Sequence, residues 1–280
     1  MSALVLMSMS SDKRAYQYYN NQGKVVKFNQ LVKKIKDADI IMFGELHNNA
    51  ISHWMEYELV KALYAERGDK LILGAEMYES DQQLLVDEYI SGKVKYKYFK
   101  EQARLWPNDK TDYHPILAYA QENKIPFIAT NIPRRYAAIV NNGGFESLDS
   151  ISNEAKKYIA PMPIKYDAEL ACYKNMLSMM GGHVPASMKN IAKAQAMKDA
   201  TMAYFILKNW RSGECFFHFN GGYHSANYES IVWYLKQANP DLKIVTIATT
   251  EQENVNNIDK ESLKEADFIL VVNENVTKTY

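Results

Sequence analysis

The sequence predicts an α/β fold: a mostly parallel sheet with helices on both faces and a helical insertion capping the carboxyl ends of the strands. Three observations predict it. Short runs that are apolar at nearly every position recur along the chain, such as "IIMF", "LILGA" and "CFFHF". Strands covered by helices on both faces read this way, without alternation. Amphipathic stretches of helical period separate these runs, the order expected of βαβ units. Each run also leads directly into charged or hydrogen-bonding residues.

Taken in order, "AYQYYNNQGKVVKF" alternates about a turn at Asn20–Gly23 and reads as a β-hairpin. Phe28 to Ala38 is an amphipathic helix with Asn29 as its expected cap. The first buried strand is Ile40 to Phe43, stopped by Gly44, with a helix from Ser52 to Glu66 after it. The second strand is Leu71 to Ala75, ending at Glu76. "SDQQLLVDEYISG" follows as a helix with a serine cap and a glycine stop. Pro126 to Thr130 is the third strand and Cys215 to Phe219 the fourth; "LKIVTIATT" and "DFILVVN" are the fifth and sixth. The segments at about 94–115 and 141–190 lack strand patterns and read as helical insertions in one domain spanning 13–280. No internal repeat is present.

Composition narrows the function classes. Lys plus Arg and Asp plus Glu are both 33 in a chain of 280 residues, so the formal net charge is zero. A balanced chain carries no electrostatic reason to bind nucleic acid or an anionic membrane. Cys172 and Cys215 sit in apolar surroundings without a CxxC pattern, and read as free thiols rather than zinc ligands. No apolar run is long enough for a transmembrane helix. Residues 1–12, "MSALVLMSMSSD", read as the tail of an export signal or a disordered start.

In parallel sheets, ligands bind beyond the carboxyl ends of the strands. Those ends carry Glu45, His47 and Asn48; Glu76, Tyr78 and Glu79; Asn131, Arg134 and Arg135; Asn220, Gly221, Gly222, Tyr223 and His224; and Thr249, Thr250 and Glu251. Each has a structural alternative. Glu45 suits a helix amino terminus, where the dipole favours a carboxylate. His47 suits a satisfied rim position, and Glu76 suits an ion pair with Arg134. His53 is a poor partner for His47 if one helix carries both. His114 and His218 read as structural. His183, in "MMGGHVP", sits on a glycine loop that could fold over the site. No Walker loop, GxGxxG after a strand, or GxSxG elbow is present.

Six blocks in order carry a resemblance: "FGELHNN", "GAEMYESDQQ", "WPND…DYHPIL", "IPFIATNIPRR", "KAQAMKDATMA" and "HFNGGYHS". Together they resemble the ChaN-like haem-binding uptake family, a branch of the wider superfamily containing the Tiki and TraB proteins. The match runs from about Asp39 to Thr250. The resemblance implies an α/β fold and a haem-binding, iron-regulated role at the envelope of a Gram-negative bacterium. It also implies export to the periplasm or outer membrane, often as a lipoprotein, although no lipid-anchor cysteine is visible here. In haem-binding members, haem lies at a dimer interface and a tyrosine ligates iron; Tyr223 and Tyr78 are the candidates.

Two readings follow. In the first, the protein binds haem as a homodimer serving an outer-membrane haem transporter. Arg134 or Arg135 pairs with the propionates, and His47 or His224 lies near the iron. Asn131, His183 and Gly222 line the site, and Trp106, Tyr113 and Met180 cover the ring. In the second, Gly44-Glu45-Leu46-His47 and Gly221-Gly222-Tyr223-His224 are the two G-x-x-H motifs of the Tiki branch. His47, Glu76 and His224 then bind zinc or another divalent metal, and Glu45 or Glu76 acts as the acid or base of a peptidase-like hydrolase.

Overall fold

The computed structural model describes residues 13–178 and 188–280. Eight strands form one sheet in the order β2-β1-β8-β7-β3-β6-β4-β5. They are β1 (Tyr16–Asn20), β2 (Val25–Val26), β3 (Ile40–Glu45), β4 (Leu71–Glu79), β5 (Phe127–Asn131), β6 (Cys215–Gly221), β7 (Ile244–Gln252) and β8 (Phe268–Asn273). The predicted hairpin is β1–β2, and β1 joins β8 antiparallel. The pairings of β8 with β7, β7 with β3, β3 with β6, β6 with β4, and β4 with β5 are parallel.

Helices cover both faces, as the unbroken apolar runs require. Ile41 and Phe43 of β3 point into one layer, with α1 (Phe28–Ile35), α2 (Ala50–Arg67), α3 (Gln83–Ile90), α4 (Tyr96–Gln102) and α5 (His114–Asn123). Ile40 and Met42 point into the other, with α6 (Arg134–Gly143), α7 (Asn153–Lys156), α9 (Ile191–Asn209) and α10 (Ile231–Ala238). The remaining helix, α8 (Ala171–Ser178), puts Tyr173 against Ala192 and Ala196 of α9. Among the described residues, 94–115 and 141–190 contain no strand, and Arg104 to Pro107 stands over the carboxyl ends of β4 and β5.

Local details correct the sequence reading in three places. The first helix is preceded by Lys27, whose N–H donates to Gln30 Oε1 at 3.0 Å, so Asn29 is not its cap. Ser80 does not cap α3. It opens a short 3-10 turn and donates to the Tyr158 carbonyl at 2.7 Å. The central strands also run further than their apolar residues: β3 to Glu45, β4 to Glu79 and β6 to Gly221. Pairing continues there because the polar side chains satisfy one another.

Phe43 is fully buried on a central strand, edge-on to Phe217. Phe43→Ala is expected to cost about 3–5 kcal/mol. Leu84, 69% exposed, is expected to cost less than about 0.5 kcal/mol when replaced by Ala. Urea unfolding midpoints at constant slope check both.

Candidate functional site

The carboxyl ends of β3, β6, β4 and β5 open into a cleft of about 830 Å³, within the range of small-molecule sites. Its floor holds His47, Glu76 and His224. Leu105, Trp106 and Pro107 form one wall, and Met77, Asn131 and Ile132 another. Arg104, Arg134, Arg135 and Lys198 lie around it with Glu79. Cations outnumber acids at the rim.

Glu76 and His224 form the centre of the floor. Glu76 Oε2 accepts the Gly221 N–H at 2.8 Å, and Oε1 lies 3.1 Å from His224 Nε2. The other ring nitrogen, His224 Nδ1, lies 2.5 Å from Asp199 Oδ1. Asp199 in turn accepts the Tyr173 hydroxyl at 2.9 Å. Burial alone would expel a proton from His224. The flanking carboxylates of Glu76 and Asp199 outweigh that and raise its pKa to about 10. Burial likewise opposes charge on Glu76, but His224, His47 and the Gly221 N–H hold it well below the ordinary carboxylate range.

Beside this centre, His47 is a third exposed and places Nδ1 2.7 Å from Glu45 Oε1. Its ring packs edge-on to Trp106, with centroids 4.7 Å apart. Burial lowers its pKa, but the hydrogen bond and charge of Glu45 reverse the shift and raise it. A Cβ on Gly221 would meet His47 Nε2 at 2.6 Å, so any other residue there would displace the His47 ring. Among the described residues, Nε2 makes no hydrogen bond.

Glu45 itself is buried and turned away from the cleft. Its Oε1 also accepts the Tyr113 hydroxyl at 2.7 Å, and its Oε2 faces His53 and Glu56 of α2. Glu45 does not cap α2; Asn49 does, accepting from the N–H groups of Ile51 and Ser52 at 3.0 Å each. His47 precedes the helix, so His47 and His53 reach the two oxygens of Glu45 from different sides. Burial, then the neighbouring Glu45, raises the Glu56 pKa well above its ordinary value.

The other candidates disperse. Tyr78 is fully buried in the core, where its hydroxyl donates to Asp109 Oδ1 at 2.9 Å, and it does not reach the cleft. Tyr223 is 39% exposed and donates to the Cys172 carbonyl at 3.2 Å, also outside the cleft lining. Gly222 opens the turn after β6 against Gly44. Asn131 donates to the Glu76 carbonyl at 3.0 Å. Arg135 pairs with Asp81 at 2.6 Å, whereas Arg134 and Lys198 have no ion-pair partner among the described residues. Glu76 pairs with His224, not Arg134. Thr249 and Glu251 anchor α2 through Ser52 at 3.2 Å and Asn49 at 2.6 Å. His114 and His218 are structural: His114 meets Tyr89 at 3.0 Å and His218 meets Thr130 at 2.7 Å. Trp106 lines the cleft and Tyr113 lies beneath it. His183 and Met180 lie outside the described residues, as do residues 1–12.

His47, Glu76 and His224 are neighbours on the cleft floor. Both His224 nitrogens face carboxylates, Nε2 toward Glu76 and Nδ1 toward Asp199, so an ion at Nε2 would have to come between His224 and Glu76. Glu45 has no face on the cleft from which to act as a base. Among the described residues, Glu45, His53 and Glu56 have metal-ligand spacing. Sequence reading missed Glu56, Asp112, Asp199, Tyr173 and Lys198. A signal existed for two: Glu56 and Asp199 are acids on mostly apolar buried helix faces, where acids are rarely buried without a partner.

The family model described as "Haem-binding uptake, Tiki superfamily, ChaN" matches residues 31–235. The chain belongs to the ChaN family. This ChaN-family chain is similar in fold to a structure of ChaN of Campylobacter jejuni with cofacially bound haem. The TM-score is 0.71 at 17% identity, covering 92% of this chain and 96% of that one. A Bacillus cereus protein matches with a TM-score of 0.54 at 14% identity, covering 92% and 95%. The chain is also 23% identical over 189 residues to the chloroplastic Protein RETICULATA-RELATED 5 of Arabidopsis thaliana. That match covers 63% of this chain and 25% of the relative, so the ChaN-family chain spans about a quarter of that protein's length.

His224→Gln leaves Glu76 and Asp199 buried without their cation, which is expected to cost about 3–5 kcal/mol at pH 7. The folded pKa of His224 is raised from the ordinary 6.5 to about 10. Its contribution is therefore full below pH 6.5 and fades as pH rises through 10. The gap in urea midpoint between wild type and His224→Gln should narrow between pH 7 and pH 11. A constant gap would exclude a charged His224.

Proposed function

We propose that this chain binds ferric haem at the carboxyl-end face of the sheet, as a homodimer linked by its ligand. The observation that carries this reading is a cleft, in a haem-binding family, that joins an apolar wall to free cations. Haem combines a flat apolar ring with two carboxylates. Trp106, Met77 and Ile132 suit the ring. Arg134 and Lys198, with no anionic partner of their own, suit the propionates.

Tyrosine ligation rests on Tyr223. Of the two tyrosines named from the sequence it is the exposed one, on the turn that carries His224. Phenolate is a good donor to ferric iron. Tyr78 is withdrawn from this role because its hydroxyl is buried and held by Asp109. His47, oriented through Nδ1 by Glu45, keeps Nε2 free for a hydrogen bond at the iron face. Among the described residues no helix is long and apolar enough to cross a membrane. The uptake role places the protein outside the inner membrane of a Gram-negative bacterium, in the periplasm or at the outer membrane. There it exchanges haem with an outer-membrane transporter.

Titration of purified protein with ferric haem should give a saturable Soret shift, with growth to a dimer on gel filtration. Arg134→Ala combined with Lys198→Ala should weaken binding about tenfold or more, the loss of a charge-assisted contact. Tyr223→Phe should remove the phenolate-to-iron charge-transfer band. An unchanged spectrum in Tyr223→Phe excludes it as the ligand, and unsaturable binding overturns the haem reading.

A further inference from the structure

We propose that Glu45, His53 and Glu56 form a divalent transition-metal site beneath the cleft, separate from the haem surface. Their donor atoms all lie within 4.8 Å of one another, and all three residues are buried. His53 Nδ1 is 3.3 Å from Glu56 Oε2 and 3.6 Å from Glu45 Oε2. Such separations suit neighbouring ligands around one ion with bonds of about 2.0–2.2 Å.

The contacts of the His53 ring point to a ligand. Its Nε2 lies 3.1 Å from the His47 carbonyl and 3.5 Å from Asp112 Oδ2, and both are acceptors. Nε2 therefore carries the hydrogen, which leaves Nδ1 as a lone pair aimed at two carboxylates. Only a second proton or a cation resolves that contact. A proton on Nδ1 alone leaves Glu45 Oε2 and Glu56 Oε1 fully buried without a donor; a divalent ion, in place of a carboxyl proton shared by Glu45 and Glu56, satisfies both. No Lys or Arg pairs with Glu45, Glu56 or Asp112 among the described residues. An imidazole that gives its far N–H to a backbone carbonyl while its near nitrogen faces carboxylates is the usual outer-shell arrangement of a metal-bound histidine.

The donor set selects the ion. Two carboxylates and one imidazole suit zinc, manganese or ferrous iron, and contain no soft sulfur. The bound ion would hold Glu45 Oε2, and so fix the carboxylate whose other oxygen orients His47. The role is structural and positioning.

Zinc is the probe. Chelator-treated wild-type protein is loaded with zinc, passed through gel filtration and analysed for metal, with no haem present. Stoichiometric retention and a zinc-dependent rise in Tm are expected. Glu56→Gln, which keeps the shape of a protonated glutamic acid, should lose the Tm rise and at least about tenfold in zinc affinity. His53→Gln should behave alike, and Leu84→Ala, on the exposed surface, should retain zinc. Failure of folded wild-type protein to retain zinc, a measurement that needs no variant, overturns the proposal. So does zinc held equally by Glu56→Gln. Haem titration reads a different signal, so either proposal can fail without the other.

Discussion

The carboxyl-end face depends on one buried cation. His224 sits between Glu76, from β4, and Asp199, from α9, and joins a central strand to the helical layer on one face of the sheet. Two buried carboxylates could not approach one turn without it. The consequences run outward. Glu76 keeps its second oxygen for the Gly221 N–H, which fixes the end of β6. The fixed turn brings Gly221 against His47, where a Cβ has no room. His47 in turn rests on Glu45, and Glu45 on Tyr113. The floor of the cleft is thus one linked set of ion pairs and hydrogen bonds.

The rim follows different physics. Arg104 and Arg135 are half exposed and pair with Glu79 and Asp81. Exposed pairs of this kind contribute about 0–1 kcal/mol each and weaken with salt. Arg134 and Lys198 have no such partner. A rigid, fully committed floor below a weakly committed cationic rim is suited to binding. The floor keeps its shape, and the rim can exchange water and weak ion pairs for the carboxylates of a ligand.

Much of this was legible in the sequence. All six buried strands and the hairpin were visible, because apolar runs and turn residues report on short stretches of chain. The residues at the strand ends were visible for the same reason. Their partners were not. Asp199, Tyr173 and Tyr113 lie far along the chain from the groups they satisfy, and no local pattern joins them. Tyr78 was misread for a geometric reason. Strict alternation would put it on the same face as Glu76. The pairing of β4 with β5 shifts register between Ala75 and Glu79, and the irregularity turns Tyr78 into the core with Phe99 and Phe127. A register shift of this kind leaves no mark in composition or period.

Helix α2 presents the same tension in sharper form. Its inward face carries Met55, Leu59, Val60 and Leu63, which a core helix needs, and also His53 and Glu56, which it does not. Apolar residues of similar volume would pack there at lower cost, since burying ionisable groups is expensive even when they are paired. Positions that break a local rule without helping the fold tend to mark function. Here they stand one layer beneath His47 and touch the same carboxylate. The polar groups of the cleft floor and those of α2 are therefore two sides of Glu45, and the strand end that carries Glu45 is where this chain concentrates its departures from an ordinary α/β core.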